Sequence, residues 1–267
     1  MITELCEKRV FPIGIGTWRM GGEMRASSEN DRKEIKAIKY ALDSGMNVID
    51  TAEMYGAGHT EELVAEAIKR RDRERLLIIS KAWPTNLSHD KLIKSAENSL
   101  RRLDTKYIDL YLIHWPNPLI DIKETIGAME ELIDRGLIRH MGVSNFEAGD
   151  LQKAIEAAKR YEIAANEIPY SLAKKDPEDY LIPFCHRHKV KVIAHTPLAR
   201  GKVLKMREAI ELAEKYKKKP SQVAINYLMK KSLPIPKAVN TKHIKELMGA
   251  IGWGMDEADY SRLSEMR

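Results

Sequence analysis

The chain has 267 residues, of which 43% are hydrophobic and 31% charged, with a formal net charge of +6. Its length suits one large α/β domain spanning 1–267, and its apolar runs fall far short of the ~20 residues a membrane helix needs. Glu208, Glu211 and Glu214 precede Lys215, Lys217, Lys218 and Lys219, so the positive charge reads as a solvated helix face, not a nucleic-acid surface.

In chain order, residues 1–9 contain no apolar core for a secretory signal, and a cytoplasmic protein is expected. The first strand candidate is Ile13–Gly16, and seven more follow: Asn47–Asp50, Leu76–Lys81, Ile108–His114, Ile138–Val143, Ala164–Glu167, Val190–His195 and Leu233–Pro236. Amphipathic stretches near 29–44, 60–70, 88–102, 121–136, 147–160, 177–188, 206–230 and 241–250 predict helices between and after them. A short further helix is expected over Asp256–Met266. Ser28, Thr60, Ser88 and Asn145 stand where N-caps would, each shortly before an acidic residue. Pro220 should divide the seventh helical stretch in two. Cys185-His186-x-His188 lies near a helix end, where histidines two residues apart diverge, so no metal site is expected. Cys6 and Cys185 form no C-x-x-C and are expected as free thiols.

Eight strands alternating with eight helices predict an α/β fold, a (β/α)8 TIM barrel with a short extra C-terminal helix. A doubly wound open sheet is the alternative. It would place a dinucleotide fingerprint after the first strand, but Arg19 stands where Gly14-x-Gly16 needs its third glycine.

Four ionisable residues end or follow the second, third and fourth strand candidates: Asp50, Tyr55, Lys81 and His114. Parallel barrels gather their catalytic groups at these strand ends. A phenol is a weak acid at neutral pH, and an adjacent ammonium should lower its pKa, so Lys81 would make Tyr55 a usable proton donor. Asp50 would keep Lys81 charged, and His114 would donate to a carbonyl oxygen. Taken singly, each residue could be structural: a cap, a core aromatic, a strand-end charge or a satisfied histidine. Together they form a site that protonates an oxyanion while something else attacks the carbon.

The sequence resembles the aldo-keto reductase family from Gly14 to about Ile251. The matching segments are Gly14-Ile-Gly-Thr-Trp18, Asp50-Thr-Ala-Glu-Met-Tyr55-Gly56, Ser80-Lys81-Ala-Trp83 and Leu110-Tyr-Leu-Ile-His114-Trp-Pro116. They continue as Gly142-Val-Ser144-Asn145-Phe146, Asn166-Glu-Ile-Pro-Tyr170, Thr196-Pro-Leu198-Ala-Arg-Gly201 and Ile235-Pro-Lys237. The resemblance implies a (β/α)8 barrel that reduces small aldehydes or ketones with NADPH, Tyr55 being the acid. It assigns Thr17, Trp18, Ser144, Asn145, Glu167, His195, Thr196, Leu198, Lys237, Ala238 and His243 to the cofactor. Ser144 and Asn145 would meet the carboxamide, and Lys237 the 2′-phosphate. Trp18, Trp83 and Trp115 would wall the substrate pocket beside Tyr55 and His114.

The chain departs from the family pattern at several cofactor positions. Glu167 replaces a common Gln, His195 a common Tyr, Ala238 a frequent Ser and His243 a frequent Arg. Loss of a bidentate Arg weakens selection for a phosphate, so relaxed cofactor choice, with NADH possible, is expected. The short segment after Trp253 lacks the family's longer loop and suggests an open pocket. Two further readings stay open: a nucleotide-binding redox-sensing auxiliary subunit with little turnover, and an aldolase using Lys81 as a Schiff-base amine.

Overall fold

Strand alternation decides the architecture. The computed structural model describes residues 2–265 and shows eight short parallel strands, here numbered from the first one in the barrel. They are β1 (Ile15–Gly16), β2 (Val48–Asp50), β3 (Leu77–Ala82), β4 (Ile108–Ile113), β5 (Ile138–Ser144), β6 (Ile163–Pro169), β7 (Lys191–His195) and β8 (Leu233–Pro234). Each pairs with its neighbour in sequence order, for example Ile49↔Ile78 and Ile79↔Leu110. At the seam, Gly14 N donates to Pro234 O (3.0 Å) and Gly16 N to Pro236 O (3.2 Å), and Gly16 bridges to Lys237 in parallel. A Cβ on Gly16 would lie 2.6 Å from Ile235 O, so glycine is what allows the two edges to approach.

Along each strand one set of side chains faces the barrel interior and the alternate set faces the helices. Val48, Leu77, Ile79, Leu110, Leu112, Ala165, Ile193, Leu233 and Ile235 form the inner core with Leu5 and Val10. Ile49, Ile78, Tyr111, Ile113 and Val192 belong to the outer layer. The helices there are α1 (Asp31–Asp43), α2 (His59–Ile68), α3 (His89–Arg102), α4 (Ile122–Asp134), α5 (Ala148–Ala157) and α6 (Leu181–Arg187). Then come α7 (Arg207–Lys215), α8 (Pro220–Leu228), α9 (Thr241–Met248) and α10 (Glu257–Glu265). Helix α1 shows why they form: it buries Glu34, Ala37, Ile38, Ala41 and Leu42, a three-and-four spacing that makes one stripe. Pro220 starts α8 at its first turn, where no backbone N–H is lost, so the expected long helix is two. The C-terminal helix forms as expected, except that Met266 lies outside the described residues.

A hairpin of Glu4–Leu5 with Lys8–Arg9, absent from the sequence reading, closes the N-terminal end of the barrel. Its turn places Cys6 and Glu7 at φ of 53° and 59°, the left-handed pair that a tight hairpin requires. Three of the expected caps differ. Helix α1 starts at Asp31, with Asn30 rather than Ser28 at its N-cap. Thr60 lies inside α2 and gives its hydroxyl to Met20 O. Asn145 is spent in the loop after β5, and Glu147 precedes α5. Ser88 does precede α3, without a side-chain cap bond. Among the described residues no helix is long and apolar enough to cross a membrane, and no His, Cys, Asp and Glu cluster could hold a metal. Cys6 and Cys185 are unbridged.

Candidate active site

The alternation that fills the barrel also carries five ionisable groups inward above it. After Val48, Ile79, Leu112, Ala165 and Ile193, the next inward position on each strand is Asp50, Lys81, His114, Glu167 or His195 respectively. Four of them, with Lys81 just behind, line a cavity of about 610 Å³ at the C-terminal ends of the strands. A wider groove of about 970 Å³ opens at the opposite end. It gathers no catalytic set, and its Arg71 and Arg75 are paired with Asp43 and Asp72.

Lys81 is wholly buried and donates to Asp50 Oδ1 and to Thr51 O at 3.1 Å. Tyr55 Oη lies 3.5 Å from the same nitrogen. Burial disfavours the ammonium, but the negative charge and direct hydrogen bond of Asp50 outweigh it and hold Lys81 above its ordinary range. Tyr55 departs from the sequence expectation. Burial raises its pKa, and the Lys81 charge, largely neutralised by Asp50, does not bring it back. The ligand-free phenol therefore keeps its proton more firmly than a free tyrosine does.

The loop that carries Tyr55 is tightly specified. Gly56, Ala57 and Gly58 all have positive φ, and a Cβ on Gly56 would meet Gly21 O at 2.5 Å. The rings of Trp18 and Tyr55 are 4.8 Å apart at 58°, and Tyr55 meets His114 at 5.7 Å and 71°. Trp83 lies edge-on to His114 at 5.3 Å. Trp115 completes this aromatic wall and is 47% exposed. Glu53 braces the wall from behind, accepting from Trp83 N (2.6 Å) and Asn86 Nδ2 (2.9 Å).

His114 is 7% exposed, and its Nδ1 is buried without a partner. Burial and the Lys81 charge push its pKa down to about 2, so it is a neutral imidazole. His195 is likewise driven to about 3, chiefly by burial. Its Nε2 is 3.0 Å from Asn145 Oδ1, an acceptor, which assigns the ring proton to Nε2; Nδ1 then accepts from Thr196 Oγ1 at 3.0 Å. Asn145 donates in turn to His114 O (3.0 Å) and Ser144 Oγ (2.9 Å). This chain locks the loops after β5 and β7 together, with Asn145 at φ 60° and Thr196 at φ 53°.

Of the residues the sequence reading assigns to a cofactor, Trp18, Ser144, Asn145, Glu167, His195, Thr196, Leu198 and Lys237 line the cavity. Thr17, Ala238 and His243 do not. Thr17 is fully buried and spends its hydroxyl on Asp50 O (2.8 Å), so it holds two strand ends together. Ala238 packs into the outer core, and the His243 backbone N–H is capped by Asn240 Oδ1 at 2.8 Å. The structure adds Arg19 and Arg200, which the sequence reading passed over. Charged residues in loops carry no periodicity to reveal them. Arg200 and Lys237 make no ion pair among the described residues, and Arg19 pairs only with the exposed Glu23. Lys237 is exposed at the cavity rim, and desolvation by its surroundings lowers its pKa despite Glu34 nearby. The cavity is thus left with unmatched positive charge.

The sequence profile of the aldo/keto reductase family matches residues 12–267. Methylglyoxal reductase YeaE of Escherichia coli is 33% identical over 260 residues, 95% of this chain and 89% of that protein. A thermostable aldo-keto reductase crystallised with the inhibitor epalrestat superposes with a TM-score of 0.94 at 40% identity, covering 99% of both chains. An aldo/keto reductase of Klebsiella pneumoniae, solved with NADP and acetate, gives a TM-score of 0.87 at 34% identity over 96% of this chain and 90% of that one. With fold, strand-end residues and family profile in agreement, the chain belongs to the aldo/keto reductase family.

Proposed function

We propose that this protein reduces small aldehydes and ketones with NADPH, with Tyr55 as proton donor. One observation carries the reading: a buried, protonated phenol, an ammonium 3.5 Å from it and a neutral imidazole share one wall of the cavity. A carbonyl that accepts a hydride becomes an alkoxide, a strong base, and needs a proton at that wall. The raised pKa suits this role, because the phenol is fully protonated before reaction and gives up its proton only to such a base. Lys81 then faces a developing phenolate and stabilises it, which is where its charge acts.

His114 orients the carbonyl. With Nδ1 unpartnered, the cheaper arrangement leaves a lone pair there and puts the proton on Nε2, the nitrogen free to donate. Trp18, Trp83 and Trp115 add flat apolar walls suited to a compact substrate. The relatives named methylglyoxal reductases support small aldehydes as that class.

The residues present fit a nicotinamide dinucleotide phosphate. Lys237, Arg200 and Arg19 offer positive charge that an anionic ligand would neutralise. The Ser144 hydroxyl accepts from Asn145 and keeps its own proton for an amide oxygen. Two relatives solved with NADP or NADPH support the same choice. When bound, the reduced cofactor supplies the hydride. A Schiff-base role for Lys81 has no support, since its amine is buried and Asp50 holds its proton.

The test is loss of NADPH absorbance with methylglyoxal and other small aldehydes, using wild type and Tyr55→Phe. The variant is expected to lose about three orders of magnitude in kcat while still binding NADPH. Comparable turnover by both would overturn the assignment. Tight binding with no turnover by wild type would favour the sensor reading.

A further inference from the structure

We infer that Glu167 is an un-ionised carboxylic acid in the working enzyme, one that offers the nicotinamide carboxamide both a donor and an acceptor, as an amide side chain would. The inference rests on the cofactor reading above. Its geometric basis is a shortage of partners. An ammonium has three donors, and those of Lys81 go to Asp50 Oδ1, Thr51 O and Tyr55 Oη. Glu167 Oε2 lies 3.4 Å from Lys81 Nζ, an ion-pair contact without hydrogen-bond geometry, its carboxyl interacts directly with that of Asp50, and the residue is 2% exposed.

No other cation faces it. On the flanking strands its register partners are Ser144 and Ile193. Tyr55 is a neutral phenol, and His114 and His195 are neutral imidazoles. Two buried carboxyls thus share one ammonium, and both cannot be charged. Asp50 holds the direct bond to Lys81, so Asp50 takes the charge and Glu167 the proton. Burial and the Asp50 charge push Glu167 well above the usual carboxylate range, in agreement with this assignment.

The consequence for the ligand is a matter of sign. A carboxylate can only accept, and would receive the carboxamide NH2 alone. A carboxylic acid also donates, and so can satisfy a primary amide on both its atoms. Cofactor binding should then weaken as Glu167 loses its proton.

Three measurements test this with wild type and Glu167→Gln. In ligand-free protein near pH 7, the infrared difference spectrum should contain a protonated-carboxyl C=O stretch that the variant lacks; no such band overturns the inference. The melting temperature gives the second test. In the unfolded chain Glu167 ionises above about pH 4.3, whereas the folded chain retains the proton, so folding takes up a proton and stability falls as pH rises. The Tm advantage of Glu167→Gln should therefore grow from about pH 4.5 to 7. An advantage that shrinks over that range contradicts the assignment.

Third, NADPH affinity measured by fluorescence between about pH 6 and 9 should fall in wild type and stay level in the variant, the two agreeing within about threefold at the acid end. A pH-independent wild type, or a variant more than about tenfold weaker at pH 6, overturns the inference. Should Glu167→Gln fold poorly, Asp50→Asn supplies the same infrared test. With Asp50 neutral, Glu167 becomes the charged partner of Lys81 and its band should vanish; persistence of the band refutes the shared proton. Failure of both proteins to bind NADPH would overturn the cofactor reading, and the ligand named here with it, while the infrared and melting results still report the charge of Glu167.

Discussion

The two ends of the barrel solve opposite electrostatic problems. At the N-terminal end one buried carboxylate, Asp109, meets two cations, Lys8 and Arg73, each at 2.6 Å, and also accepts from Ile78 N at 2.9 Å. Tyr107 lies beneath Lys8, Arg73 and Arg139, adding cation–π contacts to the same cluster. At the C-terminal end two carboxyls, Asp50 and Glu167, meet one cation. Thr51 Oγ1, His114 Nδ1 and Glu167 Oε2 are buried there without partners. Satisfied polar clusters confer rigidity, whereas unsatisfied ones cost stability and wait for a ligand. The contrast separates a structural ion cluster from the proposed active site within one fold.

The strongest way to break this comparison is to remove the cation at the working end. Lys81→Met should lower kcat by about three orders of magnitude. The remaining carboxyls can both be neutral, so the fold should survive, as circular dichroism can verify. Near-normal turnover would mean that the ammonium does not act on Tyr55. Asp109→Asn probes the other end. It leaves two partly buried cations without a counter-charge and should cost about 2–3 kcal/mol in urea unfolding, with kcat unchanged. A fall in kcat without loss of stability would erase the distinction between the two ends.

The smallest effect sharpens the comparison within the working end. If Lys237 meets the 2′-phosphate as proposed, Lys237→Ala should raise KM for NADPH by about tenfold and leave KM for NADH almost unchanged. Because His243 and Ala238 lie away from the cavity lining, wild type should discriminate between the two cofactors only modestly. Exclusive use of NADPH would show that Arg19 and Arg200 supply the missing selectivity. The ratio of kcat/KM values measures it.

What was legible in the sequence followed the period of two. Val48-Ile49-Asp50 and Leu112-Ile113-His114 already state which residue faces inward, because strand geometry leaves no other choice. The same rule carries Glu167 and His195 inward. The N-terminal hairpin escaped because two-residue strands hold too few positions to show alternation, and the turn at Cys6 and Glu7 uses neither Gly nor Asn. The caps misled because Thr60 and Asn145 found tertiary partners, Met20 O and His114 O, that outweigh local capping. The pKa of Tyr55 was illegible for another reason. Its sign depends on how much of the Lys81 charge Asp50 takes and on burial, both set by three dimensions.

The seam of the barrel has a dynamic meaning. Its two edge strands are two residues each, stitched mainly by Gly14 and Gly16 to Pro234 and Pro236. Local opening is opposed least where few backbone bonds cross, and at this seam the pairing is one bridge and two glycine N–H bonds. Gly16 and Lys237 bound the cavity on opposite sides of that line. A molecule gripped by both acts as a clasp across the gap, and by mass action its occupancy and the closed barrel rise together. Filling the site and fastening the fold are then one equilibrium.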